Sequence, residues 1–177
     1  MLYQYSLSKL LSNFTAFQLG WLACAFWHDT RSVVVTAMLL MWLYHSEPWS
    51  KVRIFITIQC AVIGIFVDSI LSYLGVLSFS PVFFLLPFWL VLLWFLFSST
   101  LTISLDWLMR RPVYAFIAGS VFGPAAYWAG AQFEALQVAG ELGYPILSIV
   151  WALLMLVFSG LIRLQPNHHF INRRSNS

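Results

Sequence analysis

The sequence predicts an all-α fold, a polytopic transmembrane bundle of six spans forming one integral membrane domain over residues 1–177. Three observations predict it. The chain is 61% hydrophobic and only 8% charged, whereas soluble domains carry about 25% charged residues. Its mean hydropathy is +0.84, and its apolar runs reach the roughly 20 residues that a helix needs to cross a bilayer. Nearly every basic residue falls in a gap between those runs, and the gaps alternate between basic and almost base-free. So few charges cannot cover a water-soluble fold, and six spans leave no room for a soluble domain.

The first span is expected over about 10–27. Lys9 precedes it and Ala23-Cys24-Ala25 ends it, which imitates a signal peptide with a small-x-small cleavage site. The polar-basic leader is weak and Trp21 is too large for a lipoprotein motif before Cys24, so an uncleaved span is expected. His28-Asp29-Thr30-Arg31 reads as a tight turn. The second span, 32–45, is short but free of Gly and Pro. Glu47, Pro48, Lys51 and Arg53 mark a basic loop before the third span, 52–73. Gly75 to Pro81 reads as an uncharged loop. The fourth span, 82–105, opens with sixteen successive apolar residues. Asp106 to Arg111 is the next basic loop. Pro112 suits the first helical position of the fifth span, 113–130, because its missing N–H is not needed there. Ala131 to Gly143 is acidic and mildly amphipathic, the pattern of a short interfacial helix. The sixth span, 145–164, precedes a polar tail with Arg173 and Arg174.

With six spans, Lys9, Lys51, Arg53, Arg110, Arg111, Arg163, Arg173 and Arg174 share one face and Arg31 alone lies on the other. The positive-inside rule orients the larger group to the cytoplasm. A five-span reading, in which the second segment does not cross, only exchanges Lys9 with Arg31. Charge therefore places the C-terminus inside under both readings. The apolarity of Val33 to Tyr44 favours six spans and a cytoplasmic N-terminus. The net charge of +3 then reflects orientation in a bacterial inner membrane rather than nucleic-acid binding. Cys24 and Cys60 lie in apolar runs without CxxC or Cys/His spacing, so neither a metal nor another cofactor is expected.

Spans in lipid associate through small residues. At about 100° per residue, Ala115, Gly119, Gly123, Ala126 and Gly130 form one stripe, which suits a contact inside the bundle or a dimer face. Gly123-Pro124 should kink or loosen that helix. Asp68 is the only acidic residue deep in an apolar run. It shares a face with Ala61, Gly64, Ser72 and Gly75, so it should point into the bundle. An intramembrane carboxyl group is a functional candidate by default, against the plainer reading of a structural hydrogen bond. Gln18 and Gln59 lie mid-span and read as interhelical glue. His28 and Tyr127 are placed near the same outer surface as Asp68, which makes the three weak candidates for acid–base work.

The stretches Phe17 to Cys24, Val67 to Leu71, Pro87 to Trp94 and Gly119 to Gly130, in this order and spacing, resemble the small bacterial inner-membrane family catalogued as domain of unknown function 2878. The resemblance implies a multi-span bacterial membrane protein and supplies no catalytic residues. It also implies a lipid-related role, since such genes often neighbour fatty-acid-modifying enzymes. The leading expectation is a non-enzymatic partner or support factor in a membrane process, with membrane lipid, a second copy or another membrane protein as partner. A lipid-modifying enzyme with an outer-leaflet site and a small transporter or channel are the alternatives.

Overall fold

The computed structural model describes residues 5–46, 49–79 and 86–164. Glu47, Pro48, Pro81, the first residues expected in the fourth span (82–85) and the tail with Arg173 and Arg174 lie outside the described residues.

Seven helices and a two-stranded ribbon make up the described chain. α1 (Leu7–Trp27) ends at His28, which takes a left-handed conformation with φ 38°. α2 (Thr30–Ser46) follows at once. Asp29 starts it: its carboxylate accepts from the Arg31 backbone N–H at 2.8 Å and from Arg31 Nε at 2.9 Å. That side-chain hydrogen bond holds the Asp29 carboxyl below the usual carboxylate value. α3 (Lys51–Tyr73) is capped by the Ser50 hydroxyl, which accepts from the Arg53 N–H. α4 (Phe88–Leu101) begins after Pro87. Its helix ends at Leu101 rather than continuing to residue 105, because Thr102 closes it and a turn leads into the short α5 (Asp106–Met109). The segment expected as a basic loop is thus partly helical. α6 (Pro112–Gln132) opens on Pro112, and α7 (Gly143–Arg163) completes the bundle. Of these, α3 and α7 are long and apolar enough to cross a membrane.

The expected interfacial helix over 131–143 is replaced by a strand. α3 and α6 both end in the same hydrogen-bonded motif, in which the residue after the C-cap is left-handed. Gly75 (φ 72°) holds that position after α3, with Val76 N–H donating to Leu71 O at 2.9 Å. Glu134 (φ 60°) holds it after α6, with Ala135 N–H donating to Gly130 O at 3.1 Å. Each motif turns the chain so that β1 (Leu77–Phe79) meets β2 (Leu136–Val138) antiparallel, Ser78 opposite Gln137. The ribbon ties the α3–α4 connection to the α6–α7 connection, and Leu77 and Leu136 are buried beneath it.

α4 is the hub. It packs on α1, α2 and α3, while α6 and α7 pair along their lengths. A small core of Ala16, Leu43 and Leu96 joins α1, α2 and α4, and a larger one runs from α3 through α4 to α6 and α7. Contacts of Arg53 with Tyr5, Asn13 with Ser104 and Ser159 with Met109 bring the starts of α1 and α3 to the same end as the close of α4, α5 and the last turns of α7. Lys9, Lys51, Arg53, Arg110, Arg111 and Arg163 therefore gather at one end, with His28, Arg31 and the ribbon at the other.

Candidate functional site: a buried carboxyl group beside stacked tryptophans

Asp68 is 1% exposed and points into the bundle. The Tyr127 hydroxyl donates to both of its carboxyl oxygens, at 2.6 and 2.7 Å, and Trp94 Nε1–H donates to Oδ2 at 2.8 Å. Three helices, α3, α4 and α6, thus meet on one acidic side chain.

Glycines make this geometry possible. Gly64 sits one helical turn before Asp68, and a Cβ built on it would lie 2.2 Å from the Trp94 ring. The missing side chain lets the indole lie against α3, at the height where its N–H reaches Asp68. The far face of Trp94 stacks on Trp151 of α7, centroids 5.4 Å apart and planes 14° off parallel. Trp151 in turn rests on Gly123 of α6, where a Cβ would lie 2.2 Å from its Cγ. The order across the bundle is Gly64, Trp94, Trp151, Gly123. Trp151 also packs edge-on to Tyr127 at 6.1 Å and to Phe97 at 5.6 Å.

The small-residue stripe of α6 is occupied by this packing. Ala115, Gly119, Gly123 and Gly130 are buried and Ala126 is half-buried. At Gly119 a Cβ would meet the Trp151 carbonyl oxygen at 2.5 Å, so two backbones touch there. Gly119 and Gly123 of the stripe thus meet α7 of their own chain, and Gly130 meets Leu136 of β2. α6 also runs on through Pro124 to Gln132. Proline has no N–H for the carbonyl four residues back, which here is Ser120. The Ser148 hydroxyl of α7 donates to that carbonyl at 2.7 Å. Ser159 does the same for Met109 at the end of α5, at 2.5 Å.

The other candidates lie apart from this site. His28 caps α1, and no contact joins it to Asp68 or Tyr127 among the described residues. Its Nδ1 and the Trp89 Nε1 are buried without a hydrogen-bond partner among the described residues. Gln18 is exposed on α1 and makes no hydrogen bond to another helix among the described residues; the buried positions of that helix are Asn13, Ala16, Gly20, Ala23, Cys24 and Ala25. Gln59 is half-buried and its Oε1 has no partner among the described residues.

Asn13 takes the role the sequence reading gave to Gln18. Fully buried, it donates from Nδ2 to Ser99 Oγ at 3.2 Å and accepts at Oδ1 from Ser104 Oγ at 2.8 Å. Its spacing of three and seven from the buried Ala16 and Gly20 was the available signal. Hydroxyls in the last turn of α4 bond backbone carbonyls three residues back, as Ser99 to Leu96 O and Thr100 to Phe97 O.

The fold and site define a class: a helical bundle with apolar helices, pinned internally by buried polar contacts. The family model described as Protein of unknown function (DUF2878) matches residues 10–157, and the chain belongs to that family. No curated protein and no solved structure matches it.

Proposed function

We propose that this is a six-span integral protein of the bacterial inner (plasma) membrane, both termini cytoplasmic, serving a lipid-related membrane process as a non-enzymatic partner or support factor. The observation that carries the reading is the state of Asp68: buried, and engaged by donors from two other helices of its own chain. An acid that acts on a substrate needs a reacting atom within hydrogen-bond reach. Here protein donors fill that reach, and the carboxyl group holds helices together.

The membrane part draws on the outer surface. Phe26, Met38, Phe55, Phe66, Phe122 and Ile149 are all exposed on helices, a surface that water tolerates poorly and lipid favours. The basic residues collected at one end fit the positive-inside rule. α2, at 17 residues, rises about 25 Å, which spans a hydrocarbon core of about 30 Å only with snorkelling at its ends. A reporter fused to the N-terminus tests this: activity confined to the periplasm supports five spans and refutes six.

The contact of 2.6 Å between Asp68 and Tyr127 is the observation that favours a second reading, a membrane enzyme acting on lipid. That reading requires a route to a side chain that is fully enclosed. Comparing the lipids of a deletion strain carrying wild-type or Asp68→Asn protein decides between them. The amide keeps an acceptor oxygen, so a supporting role predicts a folded variant that restores the wild-type lipid profile. A folded variant that does not restore it would assign the carboxyl group a chemical task.

A further inference from the structure

Two adjacent arginines at the basic end have different surroundings. Arg110 forms a two-point ion pair with Asp106, Nε to Oδ2 at 2.7 Å and Nη2 to Oδ1 at 3.1 Å. That pair neutralises it locally. Arg111 is exposed, its guanidinium carbon lies 5.7 Å from the Tyr114 ring centroid, and no carboxylate pairs with it among the described residues.

Arg111 stands at the head of a surface groove of about 400 Å³ in the corner between α5 and α6. Trp107 and Tyr114 flank that head, and Ile117, Val121 and Phe122 continue the groove along α6. From Arg111 to Phe122 the helix rises about 16 Å. Half of a hydrocarbon core is about 15 Å. The groove is therefore as long as one acyl chain in one leaflet, with its single charge at the depth of the headgroups and aromatic rings beside it.

We propose that this groove seats an anionic phospholipid, its phosphate on Arg111 and one acyl chain along α6. The guanidinium fork matches phosphate oxygens in shape and charge, and an apolar trough under one cation complements an anionic headgroup above a hydrocarbon tail. The proposal rests on the reading of α6 as a membrane span.

The test reconstitutes the full chain in nanodiscs of equimolar phosphatidylglycerol and phosphatidylcholine, then measures the phospholipids retained after transfer to mild detergent. One basic residue near a membrane surface favours anionic lipid by roughly fivefold, so the wild type should retain phosphatidylglycerol at about that excess. Arg111→Gln should retain the two lipids equally, Arg110→Gln should keep the excess, and Val121→Trp should lower retention of both. Equal retention by the wild type overturns the proposal. So does an excess that persists in Arg111→Gln, or one lost as fully in Arg110→Gln. Retention unaffected by Val121→Trp refutes the placement of the chain. Carbonate extraction of wild-type membranes separates the two readings: release into the wash sinks the membrane assignment itself, whereas firm integration with equal lipid retention sinks the lipid site alone.

Discussion

Gly123→Ala adds one methyl group at one of the most crowded contacts among the described residues. The new Cβ would sit 2.2 Å from Trp151 Cγ and 2.6 Å from its Cβ. Ordinary carbon contacts are about 3.5–4.0 Å, so the indole or the helix must move by more than 1 Å. The indole has little freedom to move. Its other face stacks on Trp94, which is held by Gly64 behind it and by its hydrogen bond to Asp68, while Phe97 and Tyr127 close its edges. Overpacking typically costs about 1–3 kcal/mol, and this site belongs at the upper end because the strain passes through two rings to the carboxyl group. Thermal unfolding of purified protein in detergent, followed by tryptophan fluorescence, should show a lowered midpoint. The double variant Gly123→Ala with Trp151→Leu isolates the cause. Trp151→Leu alone should destabilise by loss of the stack, and adding the methyl group to it should cost almost nothing. Equal midpoints for wild type and Gly123→Ala, or additive losses in the double variant, would refute the layered packing.

Three further outcomes follow from single contacts. Tyr127→Phe removes a donor from Asp68 and should destabilise by about 1–3 kcal/mol; in an Asp68→Asn background the loss should differ, because the residues are coupled, and strict additivity in the same melts would contradict the contact. Ser148→Ala leaves the Ser120 carbonyl without its donor and should cost about 1–3 kcal/mol, whereas Pro124→Ala should make Ser148→Ala nearly neutral by restoring an N–H for that carbonyl. Glu134→Gly relieves a left-handed residue and should raise stability by up to about 1 kcal/mol; a drop in the unfolding midpoint would show that the Glu134 side chain has a stabilising role of its own.

The helices were legible because apolar runs separated by charged turns leave few alternatives, and the inward face of Asp68 followed from the small residues one and two turns away. The partners of Asp68 were less legible. Tyr127 lies 59 residues further on and Trp94 lies 26 further on, and helical periodicity carries no information across such separations. Nothing local marks Trp94 and Trp151 as a stacked pair, since stacking depends on which helices become neighbours. Gln18 was misplaced because its own face looked as apolar as any other in so hydrophobic a helix. The ribbon escaped notice because Leu77–Phe79 and Leu136–Val138 are three residues each, too short for alternation to register, and pair only after α3 and α6 have brought them together.

The long separation between Asp68 and its donors also sets a schedule for biosynthesis. At about 5–20 residues per second, a ribosome that has made Asp68 needs roughly 3–12 s more to make Tyr127, and β2 follows β1 after a similar delay. Throughout that interval the acid has at most the Trp94 indole, and the first strand has no mate. The half-made chain must therefore hold an incompletely paired carboxyl group until α6 is made. Ribosomes stalled just before and just after α6 should yield nascent chains that differ sharply in protease resistance, with α6 as the point of commitment.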